Sequence, residues 1–136
     1  SLIDKHINME TKITKGIKIS VNCNYQEEQS NPAKQQFAFS YEVTIENQSQ
    51  HTVQLMKRHW YIFDACAIRR EVEGDGVIGQ QPVLKPGESH SYLSWCPLQS
   101  GIGTMRGYYT MIRITDDAQF KVEVPQFNMM APVMMN

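Results

Sequence analysis

The chain has 136 residues, 41% of them hydrophobic and 20% charged, with 13 Lys and Arg against 14 Asp and Glu and a formal net charge of −1. That length fits one domain able to bury a core without staples, and the composition excludes a disordered or membrane class. The near-neutral balance, with basic residues scattered along the chain, argues against a dedicated nucleic-acid binder, so no nucleic-acid partner is expected.

At the N-terminus, "SLIDKHINMETK" lacks the apolar core of a secretory signal. Met9 is a candidate natural start, which makes residues 1–8 read as vector-derived and residues 1–16 as an extension ahead of a single domain over 17–136. From there the pattern has period two. In "IKISVNCNY", Ile17, Ile19, Val21, Cys23 and Tyr25 share one face; in "FAFSYEVTIEN", Phe37, Phe39, Tyr41, Val43 and Ile45 do the same. Such alternation marks half-buried strands, because successive side chains point to opposite faces of a sheet. Between them "EEQSNPAKQQ" is a polar loop, and "NQSQ" after the second is a turn.

In "TVQLMKRHWYIF", Val53 and Leu55 are in phase with each other, while Trp60 and Ile62 are out of phase with them. A bulge near Lys57 reconciles the halves, since one extra residue flips every later side chain; Trp60 then faces the core, and Arg58 is expected to face water. "IRREVE", "SHSYLSW", "GTMRGYYTMIRIT" and "AQFKVEV" follow as strands, with "LKPGE" and "TDDA" as turns. No segment carries a helical period. Seven to eight short strands without intervening helices predict an all-β fold, an antiparallel β-sandwich of two sheets. No apolar run reaches the roughly 20 residues of a membrane span, so direct membrane insertion is not expected.

"EVEGDGVIGQQP" places Gly74, Gly76 and Gly79 at the G-x-G-x-x-G spacing. A pyrophosphate fingerprint needs a helix behind the glycines, whose N-terminal amides and dipole hold the phosphates. Here Pro82 and Pro86 follow closely, and a proline inside a helix costs about 3 kcal/mol. The acidic residue expected about 20 positions on is replaced by Gln99. A dinucleotide site is therefore excluded in favour of a flexible loop whose glycines supply positive φ. A weaker reading makes the same three glycines an anion-binding nest of amides. Glu71, Glu73 and Asp75 imitate the start of a calcium loop, but its last ligand position is Pro82; the acidic residues read as a solvated face neutralised by Arg69 and Arg70.

His6, His51, His59 and His90 show no local zinc spacing, so no metal site is assigned. Cys23, Cys66 and Cys96 are odd in number and far apart; they point to a reducing cytoplasm and sit in no nucleophile motif. No catalytic residue is assigned, and neither an enzyme nor a cofactor is expected. "KRHWY" mixes cations with aromatics as single-strand binders do, but a bulged strand displays the same mixture. Met129, Met130, Met134 and Met135 could offer soft ligands to Cu(I); packing on the sandwich or on another subunit is the expected use.

Taken in order, "FAFSYEVTIENQS…VQLMKRHWYI", "EVEGDGVIGQQPVLKPGE", "GTMRGYYTM" and "VEVPQF" resemble the bacterial ApaG family, also called CorD, over roughly residues 17–132. The specific pieces are Arg58-x-Trp60, the glycine triplet with Gln81-Pro82, Pro86-Gly87-Glu88, and Gly103-Thr104-Met105 with Gly107 and Tyr109. The resemblance implies an immunoglobulin-like, fibronectin type III-like sandwich. It also implies a role in cobalt resistance and magnesium efflux, and, through related domains of eukaryotic F-box and polymerase-delta-interacting proteins, a protein-interaction module. Within the family the glycine motif is proposed as a pyrophosphate site, which falls on Gly74, Gly76 and Gly79. The combined expectation is a cytoplasmic binding module with a protein partner. Its candidate contact surface includes Arg58, His59 and Arg106. A homodimer through exposed strand edges is also expected, and direct divalent-cation binding or a phosphate ligand stand as alternatives.

Overall fold

The computed structural model describes residues 9–134; residues 1–8 and 135–136, with the vector reading of the former, His6 and Met135, lie outside the described residues. Among the described residues nine strands run in chain order: β1 (Met9–Thr14), β2 (Ile17–Tyr25), β3 (Phe37–Asn47), β4 (Val53–Asp64), β5 (Ile68–Asp75), β6 (Val83–Leu84), β7 (Ser89–Leu98), β8 (Ile102–Arg113) and β9 (Ala118–Met130). They form two antiparallel sheets. One has the order β1-β2-β3-β7; the other has the order β5-β4-β8-β9, with β6 paired to the start of β4. The fold is a β-sandwich, as the alternation predicts.

The alternating sets meet between the sheets. Ile17, Ile19 and Val21 from β2 and Phe39, Val43 and Ile45 from β3 pack against Leu55 and Trp60 of β4, Met105, Tyr109 and Met111 of β8, and Val122 and Phe127 of β9. The β4 bulge lies between Leu55 and Lys57, and a second irregularity interrupts β8–β9 between Met105 and Gly107. Beyond the second, β9 continues through residues expected to be tail, and Met129 is buried. The stretch read as an extension supplies β1 from Met9. Its side chains are almost all exposed, so alternation carried no signal there.

The two sides of the sandwich differ. On one, β1 and β9 close the gap: Thr14 Oγ1 accepts the Glu123 amide at 3.2 Å, and Lys12 pairs with Glu123. On the other, β5 and β7 end their sheets without a further strand among the described residues. Arg70 reaches across that opening from β5 and donates to the Pro97 carbonyl at 2.5 Å and to Cys96 Sγ at 3.6 Å.

Candidate functional site

The opening between β5 and β7 is a cleft of about 300 Å³. Its construction begins at the β4 bulge. After the extra residue, Met56, alternation puts Arg58 on the same side as Trp60 and Ile62, inside the sandwich and half-buried. The expectation that Arg58 faces water is corrected by that phase. Arg58 Nη1 donates to the carbonyls of Asp75 at 2.9 Å and Gly76 at 3.0 Å, so the arginine holds the glycine segment.

Each glycine of the triplet then has its own reason. A Cβ on Gly74 would lie 3.0–3.1 Å from the Arg58 guanidinium, so its absence makes room for the charge. Gly76 has φ +63°, and a Cβ there would sit 2.2 Å from the Gln80 carbonyl. Gly79 has φ +73° and Ile78 φ +48°. Val77 and Gln80 exchange backbone hydrogen bonds of 2.8 and 3.0 Å around them, the arrangement of a type I′ hairpin turn.

This segment is pinned rather than flexible. The carbonyl freed by the bulge, that of Met56, accepts the Gly76 amide at 2.8 Å and Gln81 Nε2 at 3.0 Å. The amides of Gly76, Val77 and Gln80 are all committed inside the loop or to β4, which leaves them unavailable to an anion. Past Gln80 the chain enters β6, not a helix.

The cleft floor carries phenols and a hydroxyl from Tyr41, Tyr92 and Ser94; its rim is Val72, Ile78 and Trp95, 39%, 62% and 49% exposed. Tyr92 Oη hydrogen-bonds Tyr109 Oη. Burial pushes both phenols well above their ordinary range, with Arg58 opposing, so both stay neutral at physiological pH. Burial likewise pushes the Cys96 thiol up against the opposing charge of Arg70, which keeps it protonated and a poor nucleophile. Among the described residues Arg58 and Arg70 have no carboxylate partner, and none that lines the cleft is Asp or Glu.

His59 and Arg106 lie elsewhere. Adjacent positions on a strand face oppositely, so His59 is on the outer face of the sheet while Arg58 is inside it. His59 sits between Tyr61 and Tyr108, ring centroids 4.7 and 5.0 Å away, and reaches Glu71 at 2.7 Å and Glu73 at 3.1 Å. Arg106 stacks over Tyr61 at 4.4 Å. The structure therefore divides the three expected contact residues between two faces. Glu71 and Glu73 are engaged by His59 rather than by Arg69, which lies over Phe63, or Arg70, which turns into the cleft. Among the described residues no three His, Cys, Asp or Glu side chains converge as a metal would need. Arg70, Tyr92, Trp95 and Ile78 belong to the site although sequence reasoning passed over them. The alternation of β5 and β7 could have placed Arg70 and Tyr92 inward, but only the strand order reveals that they face each other.

Fold and cleft together define a small two-sheet β-protein that offers a cation-lined slot between open edges, an architecture suited to binding. Known proteins share this sequence and fold. The family model described as the ApaG domain matches residues 27–113. The chain is 45% identical over 124 residues to Protein ApaG of Brucella canis, covering 91% of this chain and 95% of that one. It is 44% identical over 129 residues to Protein ApaG of Anaeromyxobacter dehalogenans, covering 94% and 100%. The crystal structure of a Bordetella pertussis protein given the name ApaA superposes with a TM-score of 0.82 at 43% identity, covering 85% of this chain and 94% of that one. The chain belongs to the ApaG family.

Proposed function

We propose that this chain is a non-enzymatic, cytoplasmic binding module. Its β5/β7 cleft docks a protein partner, and through that partner it influences divalent-cation homeostasis, the role implied by the family resemblance. The observation that carries the reading is the slot itself: two strand edges that no further strand among the described residues covers flank a pocket rimmed by exposed Val72, Ile78 and Trp95. Open edges supply main-chain hydrogen bonds and the apolar rim supplies contact area, the pairing by which sheets recruit extended segments. The protonated Cys96 thiol and neutral phenols of the cleft fit recognition better than catalysis. Among the described residues no helix is long and apolar enough to cross a membrane, which supports action on a separate partner rather than as a helical conduit.

A photo-crosslinking residue at Leu93, exposed on β7 beside the cleft, tests the reading against the same residue at Lys121 on the remote face of β9. A discrete partner captured in cells from Leu93 and not from Lys121 is expected. Identical capture from both positions rejects the cleft as the docking site. Cobalt tolerance should fall in cells carrying Trp95→Glu; unchanged tolerance would detach the cleft from cation homeostasis.

A second reading, a phosphate ligand beside the glycine loop, is favoured by one observation, the two cleft arginines without carboxylates. A ligand at 100 times its Kd stabilises a fold by about 2.7 kcal/mol, so a nucleotide panel read by thermal shift settles it. No shift with any member removes this reading.

A further inference from the structure

Resting on the docking reading above, we propose the chemistry of the partner: an extended segment in which an acidic side chain sits next to a bulky apolar one. The carboxylate lies between Arg58 and Arg70, and the apolar group lies on Val72, Ile78 and Trp95.

Charge comes first. Arginines drawn out of water are normally paired, because an uncompensated charge in a poorly solvated place is costly. Arg58 and Arg70 are both half-buried, yet their bonded partners are neutral: the Asp75, Gly76 and Pro97 carbonyls and the Cys96 sulfur. Among the described residues no Asp or Glu lines the cleft itself. Glu73 and Asp75 stand beside Arg58, and Asp64 near Arg70, in neighbouring cavities, but neither arginine forms an ion pair with them. An incoming carboxylate would therefore meet two guanidinium groups with donors to spare. Guanidinium forks match carboxylates in plane and spacing. The protonated phenols and Ser94 add neutral hydrogen-bonding groups on the floor.

Shape decides between a peptide and a free phosphate compound. Both walls are strand edges, which a second backbone can pair with and a nucleotide cannot. The volume, about 300 Å³, is at the lower end for ligand pockets. Three of the loop amides that could cradle phosphates, those of Gly76, Val77 and Gln80, are already committed.

Strain supplies an independent pointer. Ile78 holds φ +48° while 62% exposed. A β-branched residue in the left-handed region is an outlier, and such outliers cluster at ligand clamps. The turn favours Asn-Gly at these two positions. An isoleucine there gains little burial from this chain, so the face it presents at the rim is for a partner.

Selection from a random linear-peptide display library against the full chain, followed by fluorescence anisotropy on synthetic winners, tests the proposal. The expected winners carry Asp or Glu within two positions of a large apolar residue. Replacing that acid by its amide should weaken binding at least tenfold, as should Arg70→Glu. Arg70→Gln, which removes the positive charge without introducing a negative one, should give most of the same loss. Ile78→Asn should weaken binding several-fold without unfolding the chain. Winners that lose binding with Trp95→Glu but are indifferent to the acid and to both Arg70 variants overturn this proposal and leave cleft docking standing. Winners indifferent to Trp95→Glu and Ile78→Asn overturn cleft docking, and this proposal with it. Thermal stabilisation by inorganic phosphate that vanishes in Arg70→Gln, with no acidic peptide selected, overturns the peptide assignment in favour of a phosphate ligand.

Discussion

A β-branched side chain at φ +48° strains its own backbone, and at Ile78 little burial offsets it. Left-handed backbone costs an L-residue roughly 1–2 kcal/mol, least for Asn. Ile78→Asn should therefore stabilise the fold by about 1 kcal/mol, raising Tm by roughly 3–5 °C for a chain of this size. A fall in Tm would mean that the isoleucine is held by packing within the molecule. The neighbouring glycines separate two causes usually merged. Gly79→Ala meets nothing within 4 Å and incurs only the φ cost, about 1 kcal/mol. Gly76→Ala adds a Cβ 2.2 Å from the Gln80 carbonyl and must move the turn. Chemical denaturation should show Gly76→Ala as the more harmful by at least about 1 kcal/mol, since overpacking adds about 1–3 kcal/mol. Equal losses would show that the turn can shift freely.

Elements in this sandwich are tied by polar residues at their ends. Asp64, the last residue of β4, is buried and accepts from the amides of Gln99 at 2.6 Å and Ser100 at 3.1 Å and from the Ser100 hydroxyl, fixing the β7–β8 turn. Burial alone would raise its carboxyl; the Gln99 amide, the Ser100 hydroxyl and Cys66 outweigh burial and hold it below the usual range. A carboxyl lowered by folding stabilises fully above its unfolded pKa, about 3.9, and loses that contribution as pH falls through the folded value. Asp64→Asn should cost about 1.5–3 kcal/mol near pH 7, the worth of hydrogen bonds to a charged group, and the gap should narrow below about pH 4. A gap independent of pH would mean that the charge plays no part. This tie was not legible in the sequence, where Asp64 looks like any acid at a strand end. The β4 bulge was legible, because Val53 and Leu55 fall out of phase with Trp60 and Ile62. Reading that phase one residue further places Arg58 inside; the habit of solvating arginine hid it. β1 escaped because an exposed edge strand has no buried face to print in the pattern. The cleft escaped because it depends on which strands end each sheet, and that is a long-range pairing no local window contains.

At the scale of the whole molecule, the asymmetry between the closed β1/β9 side and the open β5/β7 side predicts how the three thiols behave. Cys23 on β2 and Cys96 on β7 both flank β3 and lie buried on the inner face of one sheet. Burial pushes Cys23 up to about 12 and raises Cys96 as well. Both thiols are thus protonated and screened, and a disulfide reagent needs an exposed thiolate. Cys66 is exposed in the β4–β5 turn, but loss of solvation and the Asp64 carboxylate raise its thiol too. Native protein treated with a chromogenic disulfide should release one equivalent, more slowly than a free thiol, and three in denaturant. The openness of the β5/β7 side sharpens the test, since Cys96 lies beneath the Arg70 clasp and Cys23 does not. If the edges part as a local motion, Cys96 should react ahead of Cys23, at a rate that falls when an acidic peptide occupies the cleft. If the sandwich opens only by global unfolding, the two buried thiols should react together at the unfolding rate. Reaction of Cys23 before Cys96 would contradict the assignment of the open side, because it would require the β1/β9 side to part first.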